Sequence, residues 1–253
     1  MSGGMYLAAA GALVQQMRLE MLSNNVANIN TIGYKADKSV FRVTPDTAAG
    51  GTVPTDPELP TIPAQPLSPY APPFLTVVDF SQGAIRRTGN PLDVAIDGDG
   101  FFSIQTPDGV QYTRQGTFTL NDQGTLVTQD GYPVLGEGGE ISLEEGTVEI
   151  DLEGAVYVDG DEVGRLQVTA FSDAGGLKKV GNGRFVLTQS DTLGTRPENT
   201  ALRQGHIEAS NINAVQAMTE MIETSRAFEA YQKVIQSSDE ATSKSINDVG
   251  RAL

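Results

Sequence analysis

The sequence predicts a mixed α and β chain: paired N- and C-terminal helices of coiled-coil-like spacing, with a central all-β domain between them. Three observations predict it. Apolar and small residues recur at alternating steps of three and four at both ends of the chain. Short β-rich runs separated by Asp-Gly pairs fill the middle, and a ladder of prolines stands between the first helix and those runs.

The N-terminal stripe is Met5, Ala8, Ala12, Gln15, Leu19, Leu22, Val26 and Ile29. The C-terminal one is Ala214, Ala217, Met221, Thr224, Phe228, Tyr231, Ile235, Ser238, Thr242, Ser245 and Val249. That spacing sets each group along one side of a helix. The first helix is expected over about residues 4–28. It closes at Asn28-Ile29-Asn30-Thr31-Ile32-Gly33, since Asn and Gly tolerate the left-handed backbone of a helix C-terminus. The second is expected from Ala214 to about Val249, with Asn213 as N-cap and Gln216 completing a capping-box pattern. Ala, Gln, Ser and Thr make both seams weakly apolar, so a lone helix pair would be marginal and the stripes call for partners beyond one chain. Met5, Leu19, Leu22, Val26, Ile29, Met221, Phe228, Tyr231 and Ile235 are the candidate subunit-packing residues.

Residues 35–43 read as extended. Pro54, Pro57, Pro60, Pro63, Pro66, Pro69 and Pro72 then fall at every third residue. Polyproline II has three residues per turn, so the ladder would lie along one edge and reach about 56 Å. It suits a semi-rigid spacer or, more sharply, a ligand for an SH3-like groove. Strands are expected at Val94–Ile96, Phe101–Gln105, Gln111–Thr113, Thr117–Leu120, Thr125–Thr128, Val148–Ile150, Val156–Val158 and Arg165–Phe171. Asp99-Gly100, Asp108-Gly109, Asp130-Gly131 and Asp159-Gly160 provide tight turns between them. Such spacing points to a sandwich or barrel. The expected organisation is residues 1–43 and 207–253 as one discontinuous assembly domain, 44–73 as a Pro-rich extended linker, and 74–206 as the central β domain.

Composition excludes several functions. With 17 basic against 32 acidic side chains the net charge is −15, a surface that repels phosphate backbones and anionic lipid. The absence of cysteine removes disulfides and cysteinyl metal sites. No run is apolar and long enough to span a bilayer. The apolar stretch Met5–Val14 has no Lys or Arg before it, so a cleaved secretory signal is not expected. His206 is the lone histidine, without a zinc partner set or a G-x-S-x-G elbow. Asp97-Gly98-Asp99-Gly100 suggests a calcium loop, but Asp108 stands where an EF-hand needs Glu, and the Asp-Gly pairs are more economically turns. Neither G-x-G-x-x-G before a helix nor a Walker A motif is present. No cofactor and no catalysis are expected. Two competing readings are a secreted cell-wall hydrolase using an acidic pair such as Asp97 and Asp99, and a calcium-dependent adhesin; the lack of Trp argues against a sugar cleft.

Three blocks carry a resemblance. Ser23-Asn24-Asn25-Val26-Ala27-Asn28-Ile29-Asn30-Thr31-Ile32-Gly33-Tyr34-Lys35 resembles the N-terminal signature of the bacterial flagellar rod and hook protein family. Ser210-Asn211-Ile212-Asn213, followed by Met221-Ile222 and Arg226-Ala227-Phe228-Glu229, resembles its C-terminal run. Gly89 to Ile96, Gly100-Phe101-Phe102 and Tyr112-Thr113-Arg114 look like its middle β domain. One departure is Ile32, where relatives often carry Pro. The resemblance implies an axial protein of the basal body that spans the periplasm in the rod. Its terminal helices would pair and pack with copies of itself and with other rod proteins, and the flagellar type III apparatus would export it unprocessed. Residues 145–150, 163–166 and 178–181 look more like the proximal-rod branch of the family than the distal-rod branch. Asn24, Asn25, Asn28, Asn30, Gly33, Asn211, Asn213 and Arg226 are then signature positions. Their amides would either satisfy helix ends within one chain or hydrogen-bond between subunits and set helical register.

Overall fold

The computed structural model describes residues 2–41, 74–171, 174–188, 197 and 200–251. The proline ladder lies outside the described residues. The chain divides into two compact units.

One unit takes in Met1–Ala27, Asp37–Val77 and Asn213–Leu253. It holds helix α1 (Ser2–Ala27), helix α2 (Ala214–Arg251) and the strands β1 (Asp37–Phe41) and β2 (Phe74–Val78), which form a two-stranded sheet. The two helices pack against each other. On α1, Ala8, Ala12 and Leu22 are buried and Gln15, Leu19 and Val26 are half-buried, whereas Met5 is 37% exposed. On α2, Ala217 and Thr224 are buried, and Ala214, Met221, Phe228, Tyr231, Ile235, Ser238 and Thr242 are half-buried. The heptad spacing therefore picks out the covered side of each helix.

Polar seam residues are tolerated because their own helix satisfies them. The Thr224 hydroxyl donates to the Glu220 carbonyl at 2.7 Å and Thr242 to the Ser238 carbonyl at 2.8 Å. Small residues let the helices approach closely. A Cβ added at Gly11 would stand 2.6 Å from Cε1 of Tyr231, so the tyrosine ring takes up the space a side chain there would need. The start of α2 is capped as expected: Asn213 Oδ1 accepts from Val215 N at 3.1 Å and Gln216 N at 3.2 Å. The reciprocal half of the capping box is replaced, since Gln216 donates its amide to Glu220 Oε1 at 2.9 Å.

The other unit takes in Asn28–Ala36 and Val78–Ile212. Its strands are β3 (Ile85–Arg87), β4 (Val94–Asp97), β5 (Phe101–Thr106), β6 (Gly109–Thr113), β7 (Phe118–Leu120), β8 (Leu126–Thr128), β9 (Leu135–Gly136) and β10 (Gly139–Glu140). After these come β11 (Val148–Ile150), β12 (Ala155–Val158), β13 (Asp161–Arg165), β14 (Val168–Thr169), β15 (Leu177–Gly181), β16 (Arg184–Leu187), β17 (Ala201–Gln204) and β18 (His206–Glu208). Among the described residues these form several small sheets rather than the single sandwich or barrel expected. The largest has the order β14-β5-β6-β16-β15 and the next β11-β12-β13; the pairs β17-β4, β18-β3, β7-β8 and β10-β9 complete the set. The expected strand Arg165–Phe171 is split, because Arg165 ends the β12–β13 hairpin while Val168 and Thr169 pair with Phe102 and Phe101 on β5.

The side-chain alternation of β5 builds two cores. Phe102 and Ile104 face a large cluster with Val94, Ile96, Leu126 and Val134, and Phe102 meets the Phe118 ring edge-on at 5.1 Å. Phe101 faces the opposite way, into a smaller cluster with Leu177, Phe185, Phe80 and Phe171. Burying each such phenylalanine contributes about 1.5–3 kcal/mol, and edge-on and tilted phenylalanine pairs fill the cores of a chain without Trp.

Candidate functional site

The signature run Asn24 to Lys35 serves both units. In the helical unit, Asn25 is buried and its amide pairs with the backbone N–H and C=O of one residue, as a neighbouring strand would. Nδ2 donates to the Asp37 carbonyl at 2.8 Å and Oδ1 accepts from Asp37 N at 3.0 Å. The pairing fixes the start of β1 to α1. Leu22 and Val26 flank it on the covered side of α1, while Asn24 is exposed.

Residues 28–36 belong to the β unit, and α1 stops two residues short of Ile29, which is half-buried there. A turn takes over from the helix: Thr31 N donates to the Asn28 carbonyl at 3.1 Å and the Thr31 hydroxyl to Asn28 Oδ1 at 3.1 Å. Asn30 is exposed. Gly33 has φ +66°, and a Cβ there would stand 2.5 Å from the Arg114 carbonyl carbon, so the position admits glycine alone. Its N–H donates to the Glu208 carbonyl at 2.8 Å.

Lys35, Glu208 and Arg114 then form a buried ion triad. Lys35 Nζ lies 2.7 Å from Glu208 Oε1 and donates to the Ser81 carbonyl at 2.8 Å. Arg114 Nη1 lies 3.1 Å from Glu208 Oε2, and Nη2 donates to the Gly98 carbonyl at 2.9 Å. Gly83 N gives Glu208 Oε1 a further bond at 2.8 Å, and the Arg114 guanidinium lies 5.1 Å over the Phe101 ring. Lys35 and Glu208 are each 1% exposed. Burial holds the Lys35 ammonium below its ordinary lysine value, partly offset by the Glu208 carboxylate; the Arg114 guanidinium is lowered for the same reason. The triad carries two cations for one anion, which suits a structural clamp and gives it no obvious acid or base task.

Asn211 completes the clamp. Its Oδ1 accepts from Ala36 N at 2.8 Å, and its Nδ2 donates to the Asp79 carbonyl at 2.9 Å and to Ser81 O and Oγ at 3.1 Å. Lys179 Nζ stands 4.3 Å over the Tyr34 ring. Arg226 is exposed on α2. The acidic pair of the hydrolase reading flanks Gly98, and the lone histidine stands on β18 with Glu208, but among the described residues none of the three side chains is hydrogen-bonded to the triad. Asp97 Oδ2 accepts from Arg203 Nε at 2.7 Å, and His206 Nδ1 lies 2.8 Å from the Gln204 carbonyl. Among the described residues no three His, Cys, Asp or Glu side chains gather as a metal site, and no helix is long and apolar enough to cross a membrane. Lys35 and Arg114 stood at the ends of quoted signature blocks. Glu208 had no sequence signal, because its partners lie 173 and 94 positions away.

Three family models match in order along the chain. The flagella basal body rod protein family matches residues 5–35, the flagellar hook protein FlgE/F/G D1 domain residues 95–158, and the flagellar basal body rod FlgEFG protein C-terminal family residues 203–248. The flagellar basal-body rod protein FlgF of Rhizobium meliloti is 31% identical over 253 residues, 99% of each chain. FlgG of Bacillus subtilis is 34% identical over 96% of this chain and 97% of its own. FlgF of Caulobacter vibrioides is 31% identical over 99% of each chain. With relatives matched from end to end, the chain belongs to the flagellar basal-body rod protein family, whose members are structural and not catalytic.

Proposed function

We propose that this chain is a rod subunit of the FlgF type, in the proximal rod, polymerising through its terminal helices with copies of itself and with other rod proteins. On this reading α1 and α2 pair in a coiled-coil-like way through Leu19, Leu22, Val26, Met221, Phe228, Tyr231 and Ile235. The flagellar type III apparatus exports the chain without cleaving a signal. The observation that carries the reading is a second apolar stripe, left uncovered. On α2, Val215, Met218 and Ile222 recur at steps of three and four and are 76%, 52% and 55% exposed; on α1, Tyr6, Leu7 and Leu13 are exposed as well. Contiguous exposed apolar surface of this kind marks an association face. A FlgG-type distal-rod role is the second reading, favoured by the equally extensive likeness to FlgG of Bacillus subtilis.

The test is Met218→Asp with Ile222→Asp. Both side chains are exposed, so monomer stability should stay within about 0.5 kcal/mol of wild type. Incorporation into basal bodies, followed by labelling the isolated structures, should be lost. Normal incorporation of the doubly substituted chain would refute the helix-mediated assembly.

A further inference from the structure

A shallow groove of about 570 Å³ in the β unit is lined by Gln82, Arg87, Asp97, Arg203 and His206. Its lining carries one arginine in excess of its carboxylate, Arg87, in a chain of net charge −15. Arg87 and His206 are direct cross-strand partners on β3 and β18, so their side chains stand next to each other. The groove's one carboxylate, Asp97, is already held by Arg203. Among the described residues Arg87 has no ion-pair partner, and it is exposed.

The opposite charge is concentrated elsewhere in the same unit. From Glu137 to Glu162 every charged side chain is acidic. In the three-stranded sheet Glu149 pairs with Tyr157 and Tyr157 with Glu162, so the three side chains form a row across one face. Both carboxylates are exposed, about 10 Å apart at two strand spacings. Glu162 has a loose contact of 3.7 Å with Arg165. The hairpin is stiff: Asp159 and Gly160 both have positive φ, 52° and 99°, in a two-residue turn that Asp159 Oδ1 ties to Thr147 N at 2.8 Å.

We propose that the Glu149–Tyr157–Glu162 face of one copy docks on the Arg87–Arg203–His206 groove of the next, a head-to-tail contact between β units. The inference rests on the reading of the chain as a polymerising subunit. Two unlike patches on one chain make a heterologous contact, which leaves a patch free on each partner and so passes from copy to copy instead of closing as a two-fold dimer. In the resulting array only the terminal copies keep a free patch, a groove at one end and an acidic face at the other, so the array is polar. The exposed charges steer and orient the contact and are screened by salt.

Assembly of the purified full chain, followed by sedimentation, tests this. Arg87→Glu alone, and Glu149→Lys with Glu162→Lys alone, should each raise the concentration needed for assembly about ten-fold or more, and high salt should weaken wild-type assembly. The chain carrying all three substitutions should recover assembly near the wild-type concentration. Arg87→Gln, which deletes charge without reversing it, should give a smaller loss in the same direction and guards against misfolding of the reversed variant. Loss with Arg87→Glu but none with the hairpin variant would mean the groove takes an anion from another source, and overturns the proposal, as does failure of the triple variant to recover. A wild-type chain that stays monomeric at every concentration refutes self-polymerisation, the part of the rod reading on which this contact rests. A wild-type chain that assembles, with both reversed variants assembling equally well, refutes only this contact.

Discussion

Glu208→Gln is the sharpest perturbation of the buried clamp. The wild-type carboxylate is 1% exposed and receives Lys35, Arg114 and the Gly83 amide through its two oxygens. The substitution keeps the shape but removes the charge and turns one acceptor into a donor facing a cation. Lys35 is left with the Ser81 carbonyl and Arg114 with the Gly98 carbonyl. Breaking one buried pair costs about 3–5 kcal/mol, because the surviving charge stays desolvated. The two pairs share one carboxylate, so their losses are not additive, and the whole effect stays near about 3–5 kcal/mol. With a urea slope of about 2 kcal/mol/M, the midpoint of the β unit falls by about 1.5–2.5 M. The chain has no Trp, so urea unfolding would be followed by tyrosine fluorescence. Adding Lys35→Met should recover part of the loss, since it removes one stranded cation. A fall below about 1 kcal/mol would place the triad among solvated surface pairs and refute the clamp.

Two further predictions test the rest of the framework. Asn25→Ala removes two hydrogen bonds to the backbone of Asp37 at a buried position, for a loss of about 1–3 kcal/mol, and the Asp37 amide should then exchange faster with solvent; unchanged exchange would mean that the pairing is not formed in solution. Burial raises the Tyr112 phenol above its ordinary value near 10, so the unfolded chain releases that proton first. Its contribution to stability is complete below about pH 10 and is lost as pH rises through the folded value. Alkaline urea titrations of wild type and Tyr112→Phe should therefore diverge above about pH 10, the variant being the flatter, and parallel curves would refute the assignment.

The helices were legible because their signal is local and periodic. Every α2 seam position from Ala214 to Thr242 is covered to some degree, polar ones included. On α1 the same rule fails at Met5, which is exposed, and at Ile29, where the Asn28–Thr31 turn has already replaced the helix. The longer apolar strands were legible for a similar reason: Val148–Ile150 is found as read, and Val94–Ile96 and Phe101–Gln105 each extend by one residue. β9, β10 and β14 have two residues each, too few to show any alternation. β17 and β18 carry Arg203, Gln204, His206 and Glu208, whose polarity masks a strand until their partners on β4, Lys35 and Arg114 are known.

The same contrast bears on the asparagines. Capping within a chain and register between chains were both open readings for these residues. Asn25 spends its amide on Asp37, Asn211 on Ala36, Asp79 and Ser81, and Asn213 on the first turn of α2. An amide already committed to between two and four hydrogen bonds specifies a neighbour's register only by breaking some of them, at about 1–3 kcal/mol for each buried group left unpaired. Surfaces that cost nothing to expose in the isolated chain are better placed to do so: the Val215–Met218–Ile222 stripe, and the Arg87 groove with its acidic counterpart. The signature polar residues then shape the subunit at the points where its helices enter and leave the fold, and the apolar stripe and the opposed charges select where the next subunit sits.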